Sequence, residues 1–351
     1  MFSGIIKKIY LPFLLVSVLS FSQNKTSAEE MVNKGVYLHD EGRYTEALAK
    51  YEEALNLDKN NIMALSEKAM TLEALKRYDK AIEVCKLILK LYPKENNETV
   101  YVTYGNALDH SNNPDKAIKI YDKGLKLYPN YYQLYFNKGI ALANQKKYDE
   151  AVQSFQISAK LNPNHLGSFN ALAILTRHNR IPSILASCRF LAINNKSSNA
   201  KINFDGIINL MSQGISQNKD NSSVSISINS ALTEQNKKRA EDDFSSIDLV
   251  LTLASALDYE EENQNKTEVE QFIRKFETIC KTMDELKEDK KGYYWDFLVP
   301  YFIEMKKNNL IEPFANIVFL SVQDKNAVQY SEQYPNRIEE FYDWSISYNW
   351  K

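Results

Sequence analysis

A pattern of residues recurs every 34 positions through the first half of this 351-residue chain, and a fixed period of that length settles the architecture before any single motif is weighed. Aligned on Gly35, the first unit reads Gly35-x-x-Leu38, then Tyr44-Thr45-Glu46-Ala47, Tyr51 and Ala54. The second has Ala69-x-x-Leu72, Tyr78-Asp79-Lys80-Ala81, Cys85, Ile88 and Pro93. The third has Gly105-x-x-Leu108, Pro114-Asp115-Lys116-Ala117, Tyr121, Gly124 and Pro129, and the fourth Gly139-x-x-Leu142, Tyr148-Asp149-Glu150-Ala151, Phe155, Ser158 and Pro163. A two-residue insertion near Asn96 and Asn97 stretches one interval. Each unit fits a hairpin of two helices. Gly or Ala in the first helix faces Ala47, Ala81, Ala117 or Ala151 in the second, and small side chains let the two axes approach closely. Tyr51, Tyr121 and Phe155 are expected to fill the space between neighbouring units. Pro93, Pro129 and Pro163 end the second helix, since proline lacks an N–H and clashes with the preceding turn. Thr45, Asp79, Asp115 and Asp149 stand where an N-cap acceptor is expected.

These residues resemble the tetratricopeptide repeat family over residues 28–165. A fifth unit opens with Phe169, Ala173 and Thr176, but Arg177-His178-Asn179-Arg180-Ile181-Pro182 replaces the usual turn, so 166–193 reads as a degenerate capping repeat. The fold expected is all-α: a helix-pair solenoid over residues 23–193, followed by a second, irregular all-α domain. The resemblance implies a superhelix whose concave face, lined by first helices, binds a peptide or protein segment. By register the lining residues are Val32, Val36, Met63, Met70, Val102, Asn106, Phe136, Asn137, Ile140, Asn170 and Ile174. Apolar side chains with scattered amides suit an extended chain, and Phe136 with Asn137 is the leading pair. Relatives that clamp chaperone C-terminal carboxylates use Lys, Asn and Arg at these positions; the lysines and arginines are missing here, which argues against that specificity.

Residues 1–22 read as a cleavable export signal, with Lys7 and Lys8 before an apolar run from Ile9 to Leu19 and small residues at Ser20 and Ser22. A periplasmic or secreted mature chain from Gln23 is expected. No Cys near that cut offers a lipid anchor, and the later apolar stretch Ile247–Leu257 is too short to span a membrane. Residues 194–243 are rich in Ser and Asn and read as a linker, with a helix from Ile202 to Met211 and an alternation at Val224, Ile226 and Ile228 that fits a short strand. Helical periodicity returns over 244–351: one helix begins after the expected cap Thr267, and another, through Tyr293 to Met305, is expected to kink at Pro300. Phe341, Trp344 and Tyr348 share a helix face, as a docked C-terminal segment would.

A formal net charge of −2 lacks the basic excess that nucleic-acid binding requires. Cys85, Cys188 and Cys280 are odd in number and widely spaced, which fits buried free thiols better than a disulfide framework. His39, His110, His165 and His178 show no metal-ligand spacing, and no Walker loop, G-x-S-x-G, dinucleotide fingerprint or HExxH occurs. Asp242-Asp243 and Glu260-Glu261-Glu262 read as solvated helix flanks. No catalytic, cofactor or metal residue is therefore assigned, and the function expected is a non-enzymatic interaction scaffold. Two alternatives stay open: capture of a glycan or peptide by aromatics such as Tyr293, Tyr294, Trp295 and Tyr301, and an enzyme site within 244–351 to which the repeats recruit substrate.

Overall fold

The helices marked by the repeat are all present in the computed structural model, which describes residues 26–95, 97–217, 224–227 and 241–350. Residues 1–22, read as an export signal, and Ile228 lie outside the described residues. Helix α1 covers residues 26–40. It is followed by α2 (Tyr44–Leu57), α3 (Ile62–Ala74), α4 (Tyr78–Leu91), α5 (Glu98–His110), α6 (Pro114–Leu127), α7 (Tyr132–Asn144) and α8 (Tyr148–Leu161). The chain then continues through α9 (Leu166–Leu175), α10 (Arg180–Ile193) and α11 (Ala200–Met211), a two-stranded antiparallel ribbon of β1 (Ile215–Gln217) and β2 (Val224–Ile226), and α12 (Ser245–Ala256). Helix α13 (Glu268–Leu286), a π-helical segment Tyr294–Leu298, α14 (Val299–Lys307), α15 (Ile311–Leu320), α16 (Lys325–Gln333) and α17 (Pro335–Ser347) complete it. Two compact units emerge, residues 1–151 and 152–351.

In the first unit Gly35 and Gly105 of the first helices stand closest to the aromatic of their own repeat. A Cβ on Gly35 would overlap the Tyr51 ring, and one on Gly105 would overlap the Tyr121 ring. Tyr51 and Tyr121 thus fill the space inside a unit and, as expected, reach the next one as well: Tyr51 is buried with Ala64 of α3, and Tyr121 with Leu134 and Ala141 of α7. The second repeat shows the converse: Ala69 lies in one buried cluster with the smaller Cys85. Glycine is needed only where an aromatic stands opposite.

The expected N-caps are displaced by one turn position. Helices α2, α4 and α6 begin at Tyr44, Tyr78 and Pro114, so Thr45, Asp79 and Asp115 sit inside the first turn and no cap side chain bonds the backbone there. Asp79 and Asp115 still face the positive end of the helix dipole, which favours a carboxylate. The proline stops hold, with α4 and α6 ending two residues before Pro93 and Pro129. The residues between these stops and the helices, Tyr92 and Tyr128, tie down the inter-repeat loops: the Tyr92 hydroxyl donates to the Asn60 carbonyl and the Tyr128 hydroxyl to Glu95 O at 2.7 Å.

The second unit is organised around α10, the helix that the sequence marks as a degenerate cap. Every residue from Arg180 to Ala192 is buried, so this helix has no polar outer face. It packs against α9, α11, α12, α15 and the π-helical segment. Arg180, where the repeat pattern breaks, anchors it: its guanidinium donates to Asp248 Oδ1 at 2.9 Å, Thr252 Oγ1 at 2.7 Å, and the carbonyls of Leu210 and Met211 at 2.6 and 3.1 Å. Residues 200–211, within the segment read as a linker, form a helix that buries Phe204, Ile207 and Met211. The Thr267 cap is present as a full capping box with Glu270. Around Pro300, which cannot donate to the helical ladder, the chain widens into the π-helical Tyr294–Leu298 before α14 begins.

Asp242 and Asp243 are not solvated flanks. Asp242 Oδ1 accepts from the Tyr294 and Trp295 N–H groups at 2.8 and 3.4 Å, Asp243 pairs with Lys290 at 2.6 Å, and the Phe244 and Trp295 rings stack at 4.5 Å. Burial raises the Asp242 carboxyl from 3.8 to about 6, in spite of the two N–H donors that favour its charged form. A carboxyl raised in this way favours the protonated folded state, so its contribution to stability is full below about pH 4 and is lost as pH rises through about 6. Asparagine keeps the accepting oxygen without the charge. Asp242→Asn is therefore expected to stabilise the protein by roughly 2–3 kcal/mol above pH 6.5 and not below pH 4. Urea midpoints of the two proteins across that range check this; a pH-independent difference would contradict it.

Candidate functional site

The first helices of unit 1 build one continuous face. Helix α3 packs beside α5, and α5 beside α7, so residues at i, i+4 and i+7 on each contribute to a shared surface. Three apolar side chains stand open on it: Met63 is 54% exposed, Met70 38% and Ile140 37%. Val36, Val102 and Phe136 are half-buried around them, as are the amides Asn106 and Asn137. An exposed methionine is flexible and polarizable, so it adapts to apolar anchors of different shape.

Val32 does not belong to this face. It is fully buried with Ala28, Ala47, Tyr51, Ala54 and Ala64, because the core stripe of α1 runs through Ala28, Val32 and Gly35. Asn170 and Ile174 lie on α9 in the second unit, where Ile174 is 44% exposed and Asn170 Oδ1 accepts from Asn203 Nδ2 at 2.9 Å. The amides are partly engaged: Asn106 Oδ1 accepts from the Tyr121 hydroxyl at 2.8 Å, and Asn137 Nδ2 donates to Gln133 O of its own helix at 2.8 Å. Asn137 is thus a weaker ligand group than the register implied, and the two methionines a stronger apolar one.

Sequence reasoning missed a line of polar contacts that joins successive first helices. His39 Nδ1 lies 2.7 Å from Thr71 Oγ1, His110 Nδ1 lies 3.0 Å from Glu73 Oε1, and Asn144 Nδ2 donates to Asp109 Oδ2 at 3.4 Å. Between them the Glu67 carboxyl is raised, first by burial and then by nearby Asp40, while His39 opposes the shift. The signal was in the register: His39, Glu73 and Asp109 each stand four residues after the Gly or Ala that aligns the repeats, and Asp40, His110 and Asn144 stand at the fifth position. Reading the histidines as isolated residues hid it.

The rings expected as a capture surface in the C-terminal half are covered. Tyr294, Trp295 and Tyr301 are 2%, 3% and 0% exposed. Tyr301 packs against Trp344, Tyr348 and Trp350 at 4.9, 5.0 and 5.0 Å, so the C-terminal segment docks on its own unit. Cys85, Cys188 and Cys280 are buried and free, and burial raises the Cys85 thiol to about 12, which disfavours a reactive thiolate. A cleft of about 1160 Å³ lies in the second unit between the β1–β2 ribbon and α12–α13, with exposed Leu253 and Leu257 on its wall. At one end Asp258 holds both Arg274 and Lys275, the latter at 2.7 Å. Among the described residues no group of three His, Cys, Asp or Glu is placed to hold a metal, and no helix is long and apolar enough to cross a membrane.

Stacked helix hairpins with a face built from first helices define a helical-repeat solenoid. Tetratricopeptide repeat models match residues 38–100 and 105–165, so these two stretches carry tetratricopeptide repeats. It is 32% identical over 106 residues to the small glutamine-rich tetratricopeptide repeat-containing protein of Dictyostelium discoideum, covering 30% of this chain and 31% of the relative. It is 29% identical over 159 residues to the Hsp70-Hsp90 organising protein of Plasmodium falciparum, covering 44% of this chain and 23% of that one. The chain thus spans less than a third of either relative. A solved tetratricopeptide protein from Thermus thermophilus aligns at 19% identity and a TM-score of 0.45, over 52% of this chain and 99% of its own.

Proposed function

We propose that the chain is a non-enzymatic scaffold that holds an extended segment of another protein on the first-helix face of unit 1. The observation that supports this reading most is the exposure of Met63, Met70 and Ile140 on adjoining first helices, with amides beside them to meet a peptide backbone. Exposed large apolar side chains gathered on one face mark binding surfaces more often than isolated ones do. Tetratricopeptide repeats generally serve protein interaction, which agrees. The basic and apolar pattern of residues 1–22 supports work outside the cytoplasm, in the periplasm or beyond the cell.

A random dodecapeptide library displayed on phage, selected against the chain from Gln23 onward, tests the reading. Selected peptides should lose about tenfold or more in affinity when Met63 and Met70 are both replaced by alanine, as truncated interface anchors do. Peptides that bind equally well to that variant, or no selectable binder at all, would overturn it.

A further inference from the structure

The same face carries a charge pattern that selects among partners, an inference that rests on reading the face as a binding surface. The first helices of unit 1 hold few described lysines, and each is already paired with a carboxylate. Lys34 pairs with Glu30 of its own helix at 2.8 Å, Lys68 with Glu52 of α2 at 2.5 Å, and Lys138 with Asp122 of α6 at 2.7 Å. The last two reach back to second helices, away from the face shared by α3, α5 and α7. The carboxylates do the opposite. Glu67 lies between Met63 and Met70 at helical spacing, Glu73 follows Met70 by three residues, and Asp109 follows Asn106 by three and Val102 by seven. Glu73 and Asp109 meet neighbouring first helices through His110 and Asn144. Among the described residues none of Asp40, Glu67, Glu73 and Asp109 is paired with a Lys or Arg; the groups they meet are histidine and amide, beside an apolar stripe.

We propose that this groove takes an extended protein segment that is cationic as well as apolar, with Lys or Arg side chains set against Glu73, Asp109 and the Asp40–Glu67 pair, and an aliphatic or methionine anchor between Met63, Met70 and Ile140. Such a partner supplies the missing countercharge, and an acidic segment is repelled by the same field. The inference is opposite in sign to a clamp for carboxylates. It follows from where the lysines are tied, not from net charge, which is only −2 for the whole chain.

The dodecapeptide selection reads this directly. Enriched sequences should gain Lys and Arg and lose Asp and Glu relative to the input library. A synthetic enriched peptide should bind Glu73→Gln/Asp109→Asn about five- to tenfold more weakly, and its own Lys/Arg→Gln version should bind the unaltered protein more weakly by a similar factor. The control Glu46→Gln/Glu53→Gln, on the second helix α2, should leave affinity unchanged. Raising salt from about 50 to about 500 mM should shrink the difference between the variant and the unaltered protein. Enriched peptides that are neutral or acidic, or affinity insensitive to Glu73→Gln/Asp109→Asn while still lost in Met63→Ala/Met70→Ala, would overturn the charge preference and leave the groove reading standing. Binding insensitive to both pairs would overturn both.

Discussion

Replacing Arg189 by alanine is expected to destabilise the second unit by about 3–5 kcal/mol. Arg189 is 1% exposed on the fully buried α10. Its guanidinium lies 4.8 Å from the centre of the Tyr301 ring and 4.7 Å from that of Trp350. It donates to Pro163 O at 3.0 Å, Asn164 Oδ1 at 2.8 Å and Ser345 Oγ at 3.0 Å. All these acceptors are neutral, and burial lowers the Arg189 pKa from its ordinary value. One side chain therefore joins the loop before α9, the core helix and the C-terminal helix α17. Alanine opens a cavity and leaves a carbonyl and an amide oxygen without their donor. Arg189→Met fills much of the volume without a buried charge, so its loss should be clearly smaller, and the difference isolates the hydrogen bonds. The three tryptophans, Trp295, Trp344 and Trp350, all lie in this unit, so urea unfolding followed by their fluorescence reports on it alone. A loss under about 1 kcal/mol for the alanine variant, below what the cavity and the lost hydrogen bonds should cost, would contradict the account.

In the first unit the largest effect is expected at Gly105. A Cβ there would overlap the Tyr121 ring, which is 1% exposed and tied through its hydroxyl to Asn106, so the ring has nowhere to move. Gly105→Ala should cost about 1–3 kcal/mol through overpacking. The second repeat contains the remedy, with Ala69 and Cys85 at the equivalent positions. Tyr121→Cys alone should also destabilise, through a cavity. The double variant should be more stable than the sum of the two losses by about 1–2 kcal/mol, the coupling expected of residues in direct contact. Circular dichroism during urea unfolding measures all four corners of the cycle. Additive losses would mean that glycine at position 105 serves something other than the room taken by Tyr121.

The repeats were legible because each position answers to one local constraint: room at Gly35 and Gly105, a stop at Pro93 and Pro129, an apolar period along each helix. The second unit was not, for an opposite reason. A helix buried on all sides has no polar face to give it a phase, and α10 carries Arg180 and Arg189, which in sequence look like solvent-facing charges. Asp242 misled in the same way, since a carboxylate capping a distant π-helical turn is indistinguishable in sequence from one facing water. At the candidate site, Met63, Met70 and Ile140 followed from register alone. Val32 did not, because α1 is rotated to bury it with Tyr51. The contacts from His39, His110 and Asn144 to a neighbouring first helix are non-local, and only the stacking of α1, α3, α5 and α7 brings them together.

The most direct test of the central claim is to locate the peptide. A selected dodecapeptide carrying a photo-crosslinking side chain, bound to the chain from Gln23 onward and digested for mass spectrometry, should attach to α1, α3, α5 and α7 near Met63, Met70, Asn106 and Ile140. Attachment to the second helices α2, α4 and α6, or to the Leu253–Leu257 wall of the cleft in the second unit, would contradict the groove as the binding surface.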